Sequence, residues 1–207
     1  MSSAPRTANR YWLTLVLLPW LAAPACADFA LFEDFDDLSL GPVHGQDGWI
    51  AFGGENRVVL DPAGGENQVL YVPSSSSIIR RSLSLAGLSI PDATTRMLFM
   101  RMRVAERQTF SVGVSPFSAP SEYSDFAPEL GMASNAPNLD LRVWDDDGDN
   151  YQVLTQLAAN AWYNVWVRID TQANECEVWL HARPGDDATP ADQLDAPDGD
   201  LTFGFRA

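Results

Sequence analysis

Two neighbouring stretches of the sequence alternate strictly between apolar and polar residues. Residues 162–170 and 175–181 each carry apolar side chains at every second position, and the turn-prone segment 171–174 separates them. Period-2 alternation is typical of strands that bury one face, so the pattern predicts an antiparallel hairpin. Pairing apolar with apolar residues fixes its register. The predicted cross-strand pairs are Ile169–Cys176, Val167–Val178, Val165–Leu180, Arg168–Glu177 and Trp166–Trp179.

The rest of the chain is organised in similar short runs. Apolar or alternating segments recur between clusters of Gly, Pro, Asn, Asp and Ser, and none keeps the period of a helix. Many short strands in one domain predict an all-β fold, most simply two packed antiparallel sheets. Segments 115–137 and 183–199 lack a strand pattern and are predicted to be long loops. The other predicted strands are residues 29–35, 49–52, 57–60, 68–72, 78–85, 95–104, 109–114, 139–144, 151–157 and 201–205.

The N-terminus has the layout of a secretory signal peptide. Arginines precede an apolar run, and small residues follow it, which favours cleavage after residue 27. The run is shorter than the roughly 20 residues that span a bilayer, so membrane insertion is not expected. Cys26 offers an alternative, a lipid anchor, although the residues before it fit that signal poorly. We therefore expect a signal peptide at 1–27, one domain at 28–207, and a secreted or periplasmic protein.

The chain is strongly acidic. It has 28 acidic and 13 basic residues, a net charge of −15, and removal of the predicted signal peptide takes two arginines with it. Such a charge repels nucleic acid and anionic membranes, so neither is an expected partner. Without the signal peptide Cys176 is the remaining cysteine, on the core-facing side of its strand, where a thiol behaves as a small hydrophobic group.

Three segments resemble a known group of secreted bacterial proteins. They are Glu33-Asp34-Phe35, His44-Gly45-Gln46-Asp47-Gly48-Trp49 and residues 162–170. These segments are similar to those of concanavalin A-like lectin/glucanase domains, also described as laminin-G-like. The resemblance spans nearly all of the chain after residue 27 and implies a two-sheet jelly roll with a concave face that often holds carbohydrate. It does not fix a function, because this fold carries lectins, glucanases and adhesion modules.

The resemblance carries two further expectations. In related domains a strand follows the segment equivalent to residues 203–206 and closes the sheet. None follows here, so we expect a jelly roll without its closing C-terminal strand, or a truncated chain. In some relatives a structural calcium lies between that strand and the N-terminal one, and Glu33 and Asp34 would then supply half a site.

A glycan-cleaving enzyme of this fold needs a suitable pair of carboxyl groups. Such glucanases carry Glu-x-Asp-x-Glu on one strand, and the nearest match here starts at Glu175 and has tryptophan at the third acidic position. Glu175 and Glu177 share a face about 7 Å apart along the strand. The predicted partner of Glu177 is Arg168, which indicates an ion pair and not a general acid. No catalytic residue is predicted, and hydrolysis is the less favoured alternative.

The densest acidic cluster lies between two predicted strands. Oxygen ligands at Asp145, Asp147 and Asp149 suit calcium. Their spacing does not match an EF-hand, and Asp147-Gly148 is a hairpin turn signal. We favour a plain turn, with a calcium-binding turn as the alternative, and expect no other cofactor.

Tryptophans and charged residues share the polar faces of the predicted strands. Sugars stack on aromatic rings while charged side chains bind their hydroxyls, so such a surface suits carbohydrate. In the alternative interpretation, arginines lie over tryptophans that fill the rim of the sandwich. The leading hypothesis is a secreted, non-catalytic module that binds a polysaccharide or glycoconjugate, and the alternative is a structural or adhesive surface module without a sugar ligand. The predicted ligand-binding residues are Trp144, Trp166, Trp179, Arg142, Arg168 and Glu177.

Overall fold

The computed structural model describes residues 29–52, 55–73, 78–182 and 192–206, and antiparallel strands dominate this part of the chain. The predicted signal peptide and the lipid anchor at Cys26 lie outside it. Its helical elements are two short 3-10 turns, Leu83–Ala86 and Tyr123–Asp125, and none of the described helices is long and apolar enough to cross a membrane. The described strands are β1 Gly41–Pro42, β2 Ile50–Phe52, β3 Arg57–Leu60, β4 Gln68–Tyr71, β5 Ile78–Arg80, β6 Thr95–Arg103, β7 Phe110–Gly113, β8 Glu129–Met132, β9 Asp140–Asp145, β10 Asn150–Gln156, β11 Trp162–Asp170, β12 Glu175–Ala182, β13 Asp192–Gln193 and β14 Phe203–Gly204.

Two sheets enclose the main core. One has the order β13-β12-β11-β6, with β14 also paired to β12, and the other has the order β10-β9-β8-β7. Side chains from both form one buried cluster, for example Met132 and Val143 from the four-stranded sheet and Val167 and Val178 from the five-stranded sheet. Burial of each such side chain contributes roughly 1.5–3 kcal/mol. The predicted all-β antiparallel sandwich is confirmed.

The predicted hairpin lies at the centre of the five-stranded sheet. β11 and β12 pair in the predicted register at every position that was assigned. In the turn, Asp170 Oδ1 accepts hydrogen bonds from the backbone of Gln172 and Ala173, both at 3.0 Å, and Asn174 takes the positive φ of 59°. Asparagine tolerates that left-handed conformation better than most residues.

Cys176 lies on the core face of β12, as predicted. Its thiol is free, and the residue is 1% exposed. Burial raises the pKa of the Cys176 thiol, and the neighbouring acidic residues add to the effect. Because the thiolate is the reactive form, this cysteine is an inert core residue.

The loop predicted over residues 115–137 was wrong at its centre. β8 lies there between β7 and β9, with all four residues buried. Leu130 and Met132 of this strand point into the main core and alternate with Glu129 and Gly131, but a run of four residues is too short for period-2 patterning to reveal it. Gly131 is required at this position because a Cβ would overlap the carbonyl oxygen of Phe110. The short strands β1 and β13 were not predicted either, and residues 29–35 form no strand.

Two smaller sheets, β1-β3-β4 and β2-β5, carry a second buried cluster. The segment 44–49 that supports the resemblance builds part of it. Gln46 receives a hydrogen bond from Ser39 N at 2.7 Å and donates to the carbonyls of Ser39 and Pro42 at 3.0 and 2.7 Å. The Trp49 ring packs against Phe35, with centroids 5.6 Å apart. This motif is therefore a structural one.

The last described segment links the two main sheets. Phe203 is 0% exposed in the main core and pairs with Cys176 of β12. Gly204 N donates to Asp145 Oδ1 at 3.1 Å, and Asp146 N donates to Gly204 O at 3.3 Å. These contacts fix the position from which Arg206 extends.

Candidate functional site

An aromatic row crosses the five-stranded sheet on its outer face, the side that points away from the main core. Trp166 of β11 lies opposite Phe99 of β6 on one side and opposite Trp179 of β12 on the other. Trp179 in turn pairs with Gln193 of β13. We call Phe99, Trp166 and Trp179 the aromatic row; at the usual strand spacing its outer members are about 10 Å apart.

The aromatic row is closed at its centre and open at its sides. Trp166 is 1% exposed, Phe99 is 37% exposed, and Trp179 is half-buried. The rings of Phe99 and Trp166 are tilted by 46° with centroids 5.1 Å apart. Trp166 is therefore covered, and the surfaces open to a ligand belong to Phe99 and Trp179.

A network of charges lies beside the aromatic row. Arg168 NH1 donates to Glu177 Oε1 at 2.5 Å, which confirms the predicted pair, and Arg168 NH2 donates to Asp170 Oδ2 at 3.2 Å. Gln193 Nε2 donates to the second oxygen of Glu177 at 3.4 Å. The backbone hydrogen bond from Ala173 is the main cause that lowers the pKa of Asp170. The partly exposed Arg168–Glu177 pair stabilises the fold by about 1 kcal/mol or less, and Arg168 and Gln193 together occupy both oxygens of Glu177.

The opposite end of the outer face carries arginines. Arg101 and Arg103 of β6 lie opposite Asn164 and Trp162 of β11. The guanidinium carbon of Arg101 lies 5.4 Å from the ring centroid of Trp162. Arg103 donates to the carbonyl and the side-chain oxygen of Asn160 at 3.0 and 2.8 Å.

Trp144 and Arg142 lie on the other side of the sandwich. They alternate with the core residues Leu141 and Val143 of β9, so they point to the outer face of the four-stranded sheet. The six predicted ligand-binding residues therefore do not lie on one surface. Alternation shows that Trp144 faces away from the core, but it does not show on which sheet.

A buried carboxylate organises that second face. Glu129 of β8 has a side chain with 0% exposure, and it accepts hydrogen bonds from Ser111 Oγ at 2.6 Å, from the Tyr151 hydroxyl, and from Arg206 NH2 at 3.0 Å. The guanidinium carbon of Arg206 lies 3.4 Å from the Trp144 ring centroid. Trp144 is thus covered by an arginine, as in the alternative interpretation of these tryptophans.

Tyr151 shares the environment of Glu129. Burial raises the pKa of Tyr151 to about 12, and the hydrogen bond to Glu129 and its charge act in the same direction. The Arg142 guanidinium carbon lies 3.8 Å from the Tyr151 ring centroid. On this face guanidinium groups stack on Trp144 and Tyr151, and hydrogen bonds converge on Glu129.

The three aspartates predicted as metal ligands are not brought together. Asp145 is 4% exposed and binds the backbone of Gly204, whereas Asp147 and Asp149 are exposed in the β9–β10 turn. Among the described residues no group of three His, Cys, Asp or Glu side chains is arranged to hold a metal ion. A calcium site in this turn stays a prediction, and a fall in melting temperature on chelation is the measurement that would support it.

Glu33 is also engaged by the protein. Its Oε1 accepts a hydrogen bond from Phe35 N and its Oε2 accepts one from Trp49 Nε1, both at 2.8 Å. Arg81 NH1 lies 3.7 Å from the same Oε2, and both side chains are buried. Glu33 therefore anchors the structural motif, and calcium binding by Glu33 and Asp34 stays a prediction.

Comparisons with protein-family models, curated proteins and solved structures give no match to this chain. The site therefore rests on its geometry. Phe99 was not predicted as part of it because β6 and β11 are far apart in sequence, and alternation within one strand does not identify its neighbour. The available signal was the alternation of Phe99 and Arg101 with apolar residues along the strand.

Proposed function

We propose that this protein is a secreted, non-catalytic carbohydrate-binding module and that a polysaccharide or glycoconjugate binds on the aromatic row. The observation that carries the proposal is the register that aligns Phe99, Trp166 and Trp179 on three neighbouring strands, away from the core. Closing the core does not require aromatic side chains on that face. Phe99 and Met97 are exposed two positions apart on β6, and adjoining exposed apolar side chains are typical of binding sites.

The chemistry of the surrounding residues suits a sugar. Pyranose rings present apolar C–H faces that stack on aromatic rings, and Phe99 and Trp179 offer such rings. Arg168, Glu177 and Gln193 lie next to the row, and the hydrogen-bonding capacity that their mutual contacts leave unused can bind hydroxyl groups. Because both oxygens of Glu177 are already engaged, binding is favoured over hydrolysis through Glu175 and Glu177.

The test is affinity electrophoresis in gels that contain a panel of soluble polysaccharides, followed by titration calorimetry on those that retard the protein. We expect Trp179→Ala and Phe99→Ala each to weaken binding about fivefold, since a stacking contact of roughly 1 kcal/mol is lost. Phe117→Ala is the matched control, because Phe117 is 59% exposed in a loop. Melting temperatures of all variants show whether the fold is intact. If no polysaccharide binds, or if the control weakens binding equally, the proposal is wrong.

A second function is favoured by one observation. Among the described strands, β6 pairs only with β11, so one edge of this nine-residue strand is unpaired. Met97, which is 39% exposed, and Phe99 lie on the same strand. An open edge beside exposed apolar side chains suits the addition of a strand from another protein, which would make the chain an adhesive module. In that case substitution of Met97 and Phe99 would weaken association with the partner protein. Neither the wild type nor the variants would bind a glycan.

A further inference from the structure

The outer face of the five-stranded sheet is electrically polarised. At one end, Asp170, Glu175 and Glu177 accompany a single arginine, Arg168. At the other end, beyond the aromatic row, the charged side chains of β6 and β11 are Arg101 and Arg103. A positive end on a chain of net charge −15 is unexpected from composition alone.

The acidic end does not neutralise the arginine end. Arg101 faces Asn164, and Glu177 faces Arg168, four residues farther along β11. Four residues of strand span about 13 Å. The screening length at physiological ionic strength is about 8 Å, so the two ends act as separate charged surfaces.

Donor groups at this end are available to a ligand. Within the described residues Arg101 is exposed and has no ion-pair or hydrogen-bond partner, and its one contact of note is with the Trp162 ring. Arg103 has Nε and NH2 bound to Asn160, which fixes its orientation. The arginine end therefore combines an unpaired guanidinium with a positioned one.

We infer that the glycan bound on the aromatic row is anionic, and that a carboxylate or sulfate group on the sugar next to Phe99 binds Arg101, with Arg103 contributing long-range attraction. This inference rests on the proposed function, because the aromatic row holds the sugar ring. The planar guanidinium binds carboxylate and sulfate oxygens through two parallel hydrogen bonds, which a neutral hydroxyl cannot match. The net charge of −15 disfavours a polyanion on the protein in general, so the arginine end is where we expect a polyanion to gain affinity.

The test is titration calorimetry with polygalacturonate, dextran sulfate and neutral dextran. Arg101→Gln keeps a polar side chain and removes the charge, and Arg57→Gln is the matched control on β3, where Arg57 is exposed and pairs with Glu55. We expect Arg101→Gln to weaken binding of an anionic polysaccharide about tenfold, which is the ratio expected from one charge-assisted hydrogen-bonded pair. We also expect the wild-type affinity for that polysaccharide to fall with added salt.

The outcomes separate this inference from the proposed function. Binding of polygalacturonate alone identifies a carboxylate as the anionic group, and binding of dextran sulfate alone identifies a sulfate. Either result supports the inference when Arg101→Gln weakens the binding and Arg57→Gln does not. If neutral polysaccharides bind equally well and Arg101→Gln has no effect while Trp179→Ala abolishes binding, glycan binding stands and the anionic inference is overturned. If no polysaccharide in the wider panel binds, both are overturned.

Discussion

The buried carboxylate of Glu129 provides the sharpest test of how the structure is held together. Its side chain is 0% exposed, and Arg206, whose side chain is 20% exposed, supplies its positive partner at 3.0 Å. Arg206→Met keeps much of the side-chain volume and removes the charge. It leaves a buried carboxylate without a counter-charge, a change that typically costs about 3–5 kcal/mol. The remaining bonds from Ser111 and Tyr151, and the partial access of water to Arg206, reduce our expected cost to about 2–3 kcal/mol.

Urea denaturation of the wild type and Arg206→Met measures this cost directly. In a domain of this size about 1 kcal/mol corresponds to about 2–4 °C, so the melting temperature should fall by about 5–10 °C. Arg57→Met is the control, because the Arg57–Glu55 pair has side chains 44% and 79% exposed and is expected to contribute at most about 1 kcal/mol. The double variant Glu129→Gln/Arg206→Met should be no less stable than Arg206→Met alone, since the uncompensated charge is gone. Equal losses in Arg206→Met and Arg57→Met would refute the reasoning.

Three further predictions concern the thiol, the buried phenol and the hidden strand. In a Cys26→Ser variant, Cys176 should react with a thiol reagent only after denaturation, because burial raises its pKa; rapid reaction of the folded protein would contradict its placement in the core. Tyr151 should ionise near pH 12 when phenolate absorbance is followed. Its contribution to stability is present below about pH 10 and should be lost as the pH rises from there through 12. If a Tyr151→Phe variant keeps the late-titrating phenol, another tyrosine is responsible. Gly131→Ala should unfold or strongly destabilise the protein, whereas Gly148→Ala, where a Cβ would meet its nearest neighbour at 3.4 Å, should change the melting temperature little.

Local alternation was sufficient for the central hairpin, although residues 163–167 of β11 are buried on both faces. The hairpin of β11 and β12 was predicted down to the Arg168–Glu177 pair because a one-residue shift would move every apolar side chain of the strand out of the core. β8 could not be found in this way, since it has only four residues and two of them, Glu129 and Gly131, are untypical of strands. The buried carboxylate of Glu129 is stabilised in that strand by hydrogen-bond donors from β7, β10 and the segment after β14, which lie elsewhere in the sequence.

The candidate site depends on which strands are neighbours. Trp144 alternates with core residues on β9 as Trp166 does on β11, and their sequences gave no reason to separate them. The structure separates them by their partners. Trp144 lies beneath Arg206, whose charge is balanced by buried Glu129. Trp166 instead contacts the ring of Phe99, which lies on a strand with one edge unpaired among the described residues. A tryptophan whose covering arginine is already paired has little to offer a ligand, because binding would first have to break a buried ion pair. The row that ends in exposed Phe99 and adjoins Arg101 meets no such cost, and for this reason we assign ligand binding to the five-stranded sheet.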